Sequence, residues 1–127
     1  MKGTGGSYLS IPGLVATGDL SSSQYKIVKM ATTADAVKVG SAATDAVIGV
    51  LMNDPTSGQP AEVAYSGVVK VLCEASTTVG SNLTCSSTGR AKSTTSAGNI
   101  CIGQALDAGS TAGMLISVLL SHFEDGN

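Results

Sequence analysis

A chain of 127 residues has room for one domain with a modest core, and its 43% apolar content is ample to fill it. Only 13% of the residues are charged and the net charge is −2, which excludes the strong basic or acidic field that would recruit nucleic acid or anionic lipid. With one Phe, three Tyr and no Trp, the core is drawn from Val, Leu, Ile and Ala, and no window approaches the run of about 18 apolar residues of a membrane span.

Residues 1–24 read differently from the rest. Lys2 to Ser7 is a Gly-rich lead, without the continuous apolar stretch of a signal peptide, so the product is expected in the cytoplasm of the cell that makes it. Tyr8-Leu-Ser-Ile-Pro-Gly-Leu-Val15 is apolar but broken by Pro12, which holds Ile11 in extended geometry. Asp19 to Ser23 follows as a polar hinge. Such a segment is either a first strand of the domain's own sheet or an arm laid on a partner. The division taken here is an arm over 1–24, a β domain over 25–121 and a polar tail over 122–127.

From Tyr25 the chain is a series of short β segments. They cover 25–30, 36–39 and 46–52, then 61–65 and 68–74 on either side of Ser66-Gly67. Segments at 83–85, 90–93, 100–106 and 114–120 complete the series. Asn53 to Pro60, with two Pro and a Gly, is a loop. Helical periodicity is absent, β-branched residues dominate, and 16 Gly supply turns. The expectation is an all-β fold, a small sandwich or barrel of about eight or nine short strands with an extended N-terminal arm. One echo stands out: Val47-Ile-Gly-Val50 returns as Cys101-Ile-Gly-Gln104, each after a Ser/Thr/Ala-rich turn and before an acidic residue, Asp54 or Asp107. Two related hairpins would close a sandwich or barrel through a rough two-fold.

No constellation for catalysis, cofactor or metal emerges. The only histidine, His122, lies in the expected tail, a poor place for a triad base. The carboxylates are scattered over loop positions, and Cys73, Cys85 and Cys101 lack metal or redox spacing, reading as small buried apolar residues. Gly3 to Gly6 lacks the strand and the Lys-Ser/Thr of a phosphate loop. Asn82-Leu-Thr84 matches a glycosylation sequon that a cytoplasmic product would never present to the enzyme. Lys29 invites comparison with the modified lysine of a carrier domain, but it sits inside an expected strand and not at a hairpin tip. The low charge fits a surface rich in Ser and Thr, or one covered by neighbouring subunits.

One series is more specific. Ile11-Pro-Gly-Leu-Val-Ala-Thr-Gly-Asp-Leu-Ser21, Gln24-Tyr-Lys-Ile-Val-Lys29 and Ala43-Thr-Asp-Ala-Val-Ile-Gly-Val-Leu-Met-Asn-Asp-Pro55 come first. Gly58-Gln-Pro-Ala-Glu-Val-Ala64, Gly67-Val-Val-Lys-Val71 and Ile102-Gly-Gln-Ala-Leu106 follow in order. Together they resemble the capsid decoration (cement) proteins of tailed bacteriophages, from Leu9 to Leu120. The resemblance implies a non-enzymatic virion protein that binds the outer capsid surface and stabilises the lattice of major capsid protein. It implies no cofactor, no nucleic acid or membrane partner, and self-association as a homotrimer. The candidate capsid or subunit contacts are Tyr8, Leu9, Ile11, Pro12, Leu14 and Val15. The alternatives are another phage component, such as a tail or fibre protein, and a carrier or ligand-binding β module.

Overall fold

The computed structural model describes residues 8–95 and 98–124, the last three of these by backbone alone. The lead before Tyr8, with its Gly3–Gly6 stretch, and residues 125–127 of the expected tail lie outside the described residues. Ten strands are present among the described residues: β1 (Tyr8–Ile11), β2 (Val15–Ala16), β3 (Ile27–Met30), β4 (Ala36–Val39), β5 (Val47–Leu51), β6 (Val63–Leu72), β7 (Asn82–Cys85), β8 (Ala91–Ser93), β9 (Ile100–Ala105) and β10 (Leu115–Glu124). They form one sheet in the order β2-β4-β3-β5-β6-β10-β9-β7-β8, with β1 paired to β6 off this path. The protein is all-β, as expected.

Most boundaries shift by a residue or two from the sequence reading, and four differences are larger or change the pairing. Tyr25 has a φ of 71°, outside the extended region, so the first expected strand begins at Ile27. The break expected at Ser66-Gly67 is a change of partners within one continuous strand. Before it β6 pairs with β5 and β1, after it with β10, and Gly67, at φ 107°, lies where they exchange. Strand β10 runs on through His122 to Glu124, pairing Phe123 with Cys101 and Glu124 with Ile100. Residues 8–16 supply two strands of the sheet itself, β1 against β6 and β2 in parallel with β4.

The echo between residues 47–50 and 101–104 reaches much further than those two strings. Strand β3 meets β5 through Ile27↔Val50, Val28↔Gly49 and, after an irregularity, Lys29↔Val47. Strand β7 meets β9 through Asn82↔Gln104, Leu83↔Gly103 and, after an irregularity at the same place, Thr84↔Cys101. On the other edge, Val28↔Val39 and Met30↔Val37 match Leu83↔Ser93 and Cys85↔Ala91. The pairs Leu51↔Val63 and Ala105↔Val118 also match.

The N-terminal strands have counterparts too, in the second part of β6. Ile11 faces Val63 as Val69 faces Val118, and Val15 bridges Pro60 as Leu72 pairs with Leu115. Ala16 lies parallel to Val37 as Cys73 does to Ala91. Even the connecting hydrogen bonds repeat. Thr17 N–H donates to Val37 O (2.9 Å) and Glu74 N–H to Ala91 O (2.7 Å), while Leu20 N–H to Pro55 O (2.9 Å) matches Thr77 N–H to Gly109 O (2.8 Å). The chain is one five-segment unit used twice, with β6 as the last strand of the first half and the first strand of the second.

Each half is rolled around its own apolar filling. Leu14, Ala16, Val28, Val37, Leu51 and Val63 fill the first. Val71, Cys73, Leu83, Ala91, Ala105 and Val118 hold the matching places in the second. A buried Leu20 in the first half is answered by Thr77, whose Oγ1 accepts the Gly109 N–H at 3.1 Å and so tolerates burial. The larger cluster continues through Ile27, Val47, Val50 and Ile102 and joins the halves.

Candidate interaction surface

The side chains available to a partner define the candidate site. Among the described residues no three His, Cys, Asp or Glu side chains are placed to hold a metal ion. Lys29 lies within β3, where its Nζ donates to Asp45 Oδ2 at 2.8 Å. Asp45 also accepts the N–H groups of Ser41 (2.8 Å) and Ala42 (3.1 Å), and with Lys29 these hold its carboxyl below the usual carboxylate range. The cysteines are buried and carry no disulfide, and burial pushes the Cys85 thiol up to about 11. The side chain of His122 lies outside the described residues.

The six candidate contacts fall into two groups. Leu9 is 60% exposed, beside exposed Ser10. Tyr8 donates its hydroxyl to Glu62 Oε2, and that bond to a carboxylate raises the phenol pKa to about 12. Leu14 is part of the core, whereas Ile11, Pro12 and Val15 are more open and with Leu14 form one wall of a groove of about 440 Å³. Asn53, Pro60, Ala61 and Glu62 complete that groove. It exists because the first strand of the first half is interrupted by Pro12-Gly13, so that β1 and β2 are separate where their counterpart in β6 is continuous. Asn53 props the far wall: its Oδ1 accepts the Glu62 N–H at 3.0 Å and its Nδ2 donates to Pro60 O at 3.1 Å.

A second surface was not legible in the sequence. Opposite residues of an antiparallel pair share a face. In β6 and β10 the pairs Val69↔Val118 and Val71↔Ile116 point inward. The pairs Val68↔Leu119, Lys70↔Ser117 and Leu72↔Leu115 therefore point outward. Leu106, whose N–H donates to Ser117 O at 2.8 Å, extends this face beyond β9. Leu106, Leu115 and Leu119 are 45%, 38% and 42% exposed, respectively. Ser117 at their centre is only 4% exposed, and its hydroxyl has no hydrogen-bond partner. Alternation along one strand gave part of this pattern; the outward cluster needed the pairing of β6, β10 and the end of β9, which are distant in sequence.

A model of the phage cement protein family matches residues 22–120. No curated protein matches the sequence. Among solved structures, the fold is similar to that of the N base of head fiber gp8.5 in bacteriophage phi29, with a TM-score of 0.69 at 19% sequence identity. That likeness covers 91% of this chain and 95% of the other.

Proposed function

The chain belongs to the phage cement protein family, and from that premise we propose that it binds the outer surface of the phage head and cements the lattice of major capsid protein. It is a phage structural capsid protein, and the family match over residues 22–120 carries the reading. The surface chemistry supports it. A face with three exposed leucines and an N-terminal segment led by Leu9 can bury apolar area on subunits, while low charge permits close packing. Several copies joined together would hold a repeating lattice far more tightly than one, so self-association, as a homotrimer, is part of the proposal. Leu9 is the proposed shell contact, being apolar, 60% exposed, and carried on a strand already anchored by β6.

The deciding experiment mixes purified protein with undecorated expanded heads and with unexpanded heads. Binding to expanded heads alone establishes the cement role, and binding to neither ends it. The fold shared with a head fiber base favours one second reading, a fibre or tail component of the virion. Cryo-electron microscopy of the particle, locating the chain on the shell or on an appendage, separates the two.

A further inference from the structure

We propose that the chain associates head to tail with further copies of itself, the outward leucine face of β6 and β10 on one subunit docking into the Pro12–Glu62 groove of the next. This deepens the self-association in the reading above and does not depend on the shell.

The duplicated architecture supplies an internal control. At matching places the second half carries Leu72, Leu106, Leu115 and Leu119, and the first half Val15, Met52, Pro60 and Ala64. The same unit folds with either set, so folding alone does not call for exposed leucines. The contrast is greatest at the centre. Ser117 has a buried hydroxyl without a partner, where the first half has Glu62, exposed and bonded to Tyr8. The centre of the leucine face is thus uncharged and covered by its own neighbours, while the matching place in the first half is charged and open.

The two surfaces carry complementary charge. Among the described residues the leucine face has Lys70 as its charged residue, and the groove, lined by apolar and polar side chains together, has Glu62. Docking one on the other covers apolar area and brings Lys70 towards Glu62. The two surfaces differ, and the contact proposed is heterologous, each subunit giving its leucine face to one neighbour and its groove to another; of the ring and the open filament that such a contact generates, the closed ring is the form proposed. An exposed apolar patch of the size usual on a monomer, roughly 300–600 Å², falls short of the ~800 Å² per partner of a stable complex. One contact is therefore weak, and ring closure, in which each subunit makes two, supplies the remainder.

The test is sedimentation velocity of the purified full chain over a concentration series, without heads, so that its outcome is separate from that of shell binding. Wild-type protein should assemble with concentration into one closed species. Lys70→Glu and Glu62→Lys should each weaken assembly about tenfold, and the double variant should recover most of the loss, because the charges exchange places across the contact. Wild-type protein that stays monomeric, single variants that assemble normally, or a double variant no better than the singles would each overturn the proposal. If a charge variant fails to fold, Leu119→Ser at an exposed site takes its place. Monomeric, folded Leu119→Ser protein supports the contact. Unaltered assembly with loss of head binding assigns the face to the shell instead.

Discussion

Gly49 and Gly103 meet the same obstacle: a Cβ on either would lie 2.0 Å from a carbonyl oxygen of the neighbouring strand, that of Ala64 for one and of Leu119 for the other. The Ile-Gly string shared by β5 and β9 is thus a steric requirement met once in each half. Neither carbonyl can withdraw without breaking its strand. Gly49→Ala and Gly103→Ala are each expected to destabilise the protein by about 3 kcal/mol, the upper range for overpacking. Urea unfolding measures both, and two near-equal losses would show that the halves depend alike on this contact.

Leu14 lies only a few residues from the start of the described chain, yet it is buried in the first-half core beside Leu51 and Val63. Leu14→Ala should cost about 3 kcal/mol by removing buried methyl groups and leaving a cavity. Leu9→Asp, in the same segment, should leave the unfolding midpoint within about 0.5 kcal/mol of wild type, because Leu9 faces solvent. If Leu9 meets the shell, that variant also loses occupancy on expanded heads, read by gel densitometry.

Tyr8 titrates in the alkaline range with a definite sign. Its phenol is raised from 10.0 to about 12 in the folded state, chiefly by the hydrogen bond to Glu62. Between those values the native state holds more protons than the unfolded state, so stability is full below pH 10 and falls as pH rises towards 12. Tyr8→Phe should be less stable at neutral pH and should lack this component of the alkaline fall. Thermal melts from pH 8 to pH 12 compare the two.

Asp45 acts at the other end of the scale. Lys29 and the N–H groups of Ser41 and Ala42 depress its folded pKa, so its contribution is present above the unfolded value of 3.8 and is lost as pH falls through the folded one. Asp45→Asn should lower stability at neutral pH and flatten the acid side of the profile, measured by urea unfolding between pH 2 and pH 6.

The three cysteines should be silent towards a thiol reagent in the native protein and all react once it is unfolded. They are buried, and Cys85 is further protected by a pKa near 11, which leaves almost no thiolate at neutral pH. Reaction of one equivalent in native buffer would mean that a half opens locally.

How much was visible in the sequence follows from which interactions are local. The inward alternation Val69, Val71, Cys73 and the loop at 53–60 could be read from spacing and from Pro and Gly. The Ile-Gly echo was legible because a close approach to a carbonyl admits only glycine. The rest of the duplication was hidden because its positions conserve a physical role and not a residue. Leu14 matches Val71 as filling, and Asn53 and Asp107 each accept the N–H of a later residue, Glu62 at 3.0 Å and Ser117 at 2.9 Å. Residues 8–16 could be read as a first strand or as an arm and no further, since their partners, 36–37 and 60–67, lie far along the chain and Pro12 masks the strand pattern. The groove and the leucine face depend on that same distant pairing.

Strand β6 has a mechanical consequence. Because the two halves meet within a single strand and not through a flexible linker, a pull that separates them is borne by the covalent backbone around Gly67 and by hydrogen bonds on both of its sides. A force probe attached to the two halves should therefore see one stiff body yielding in a single event.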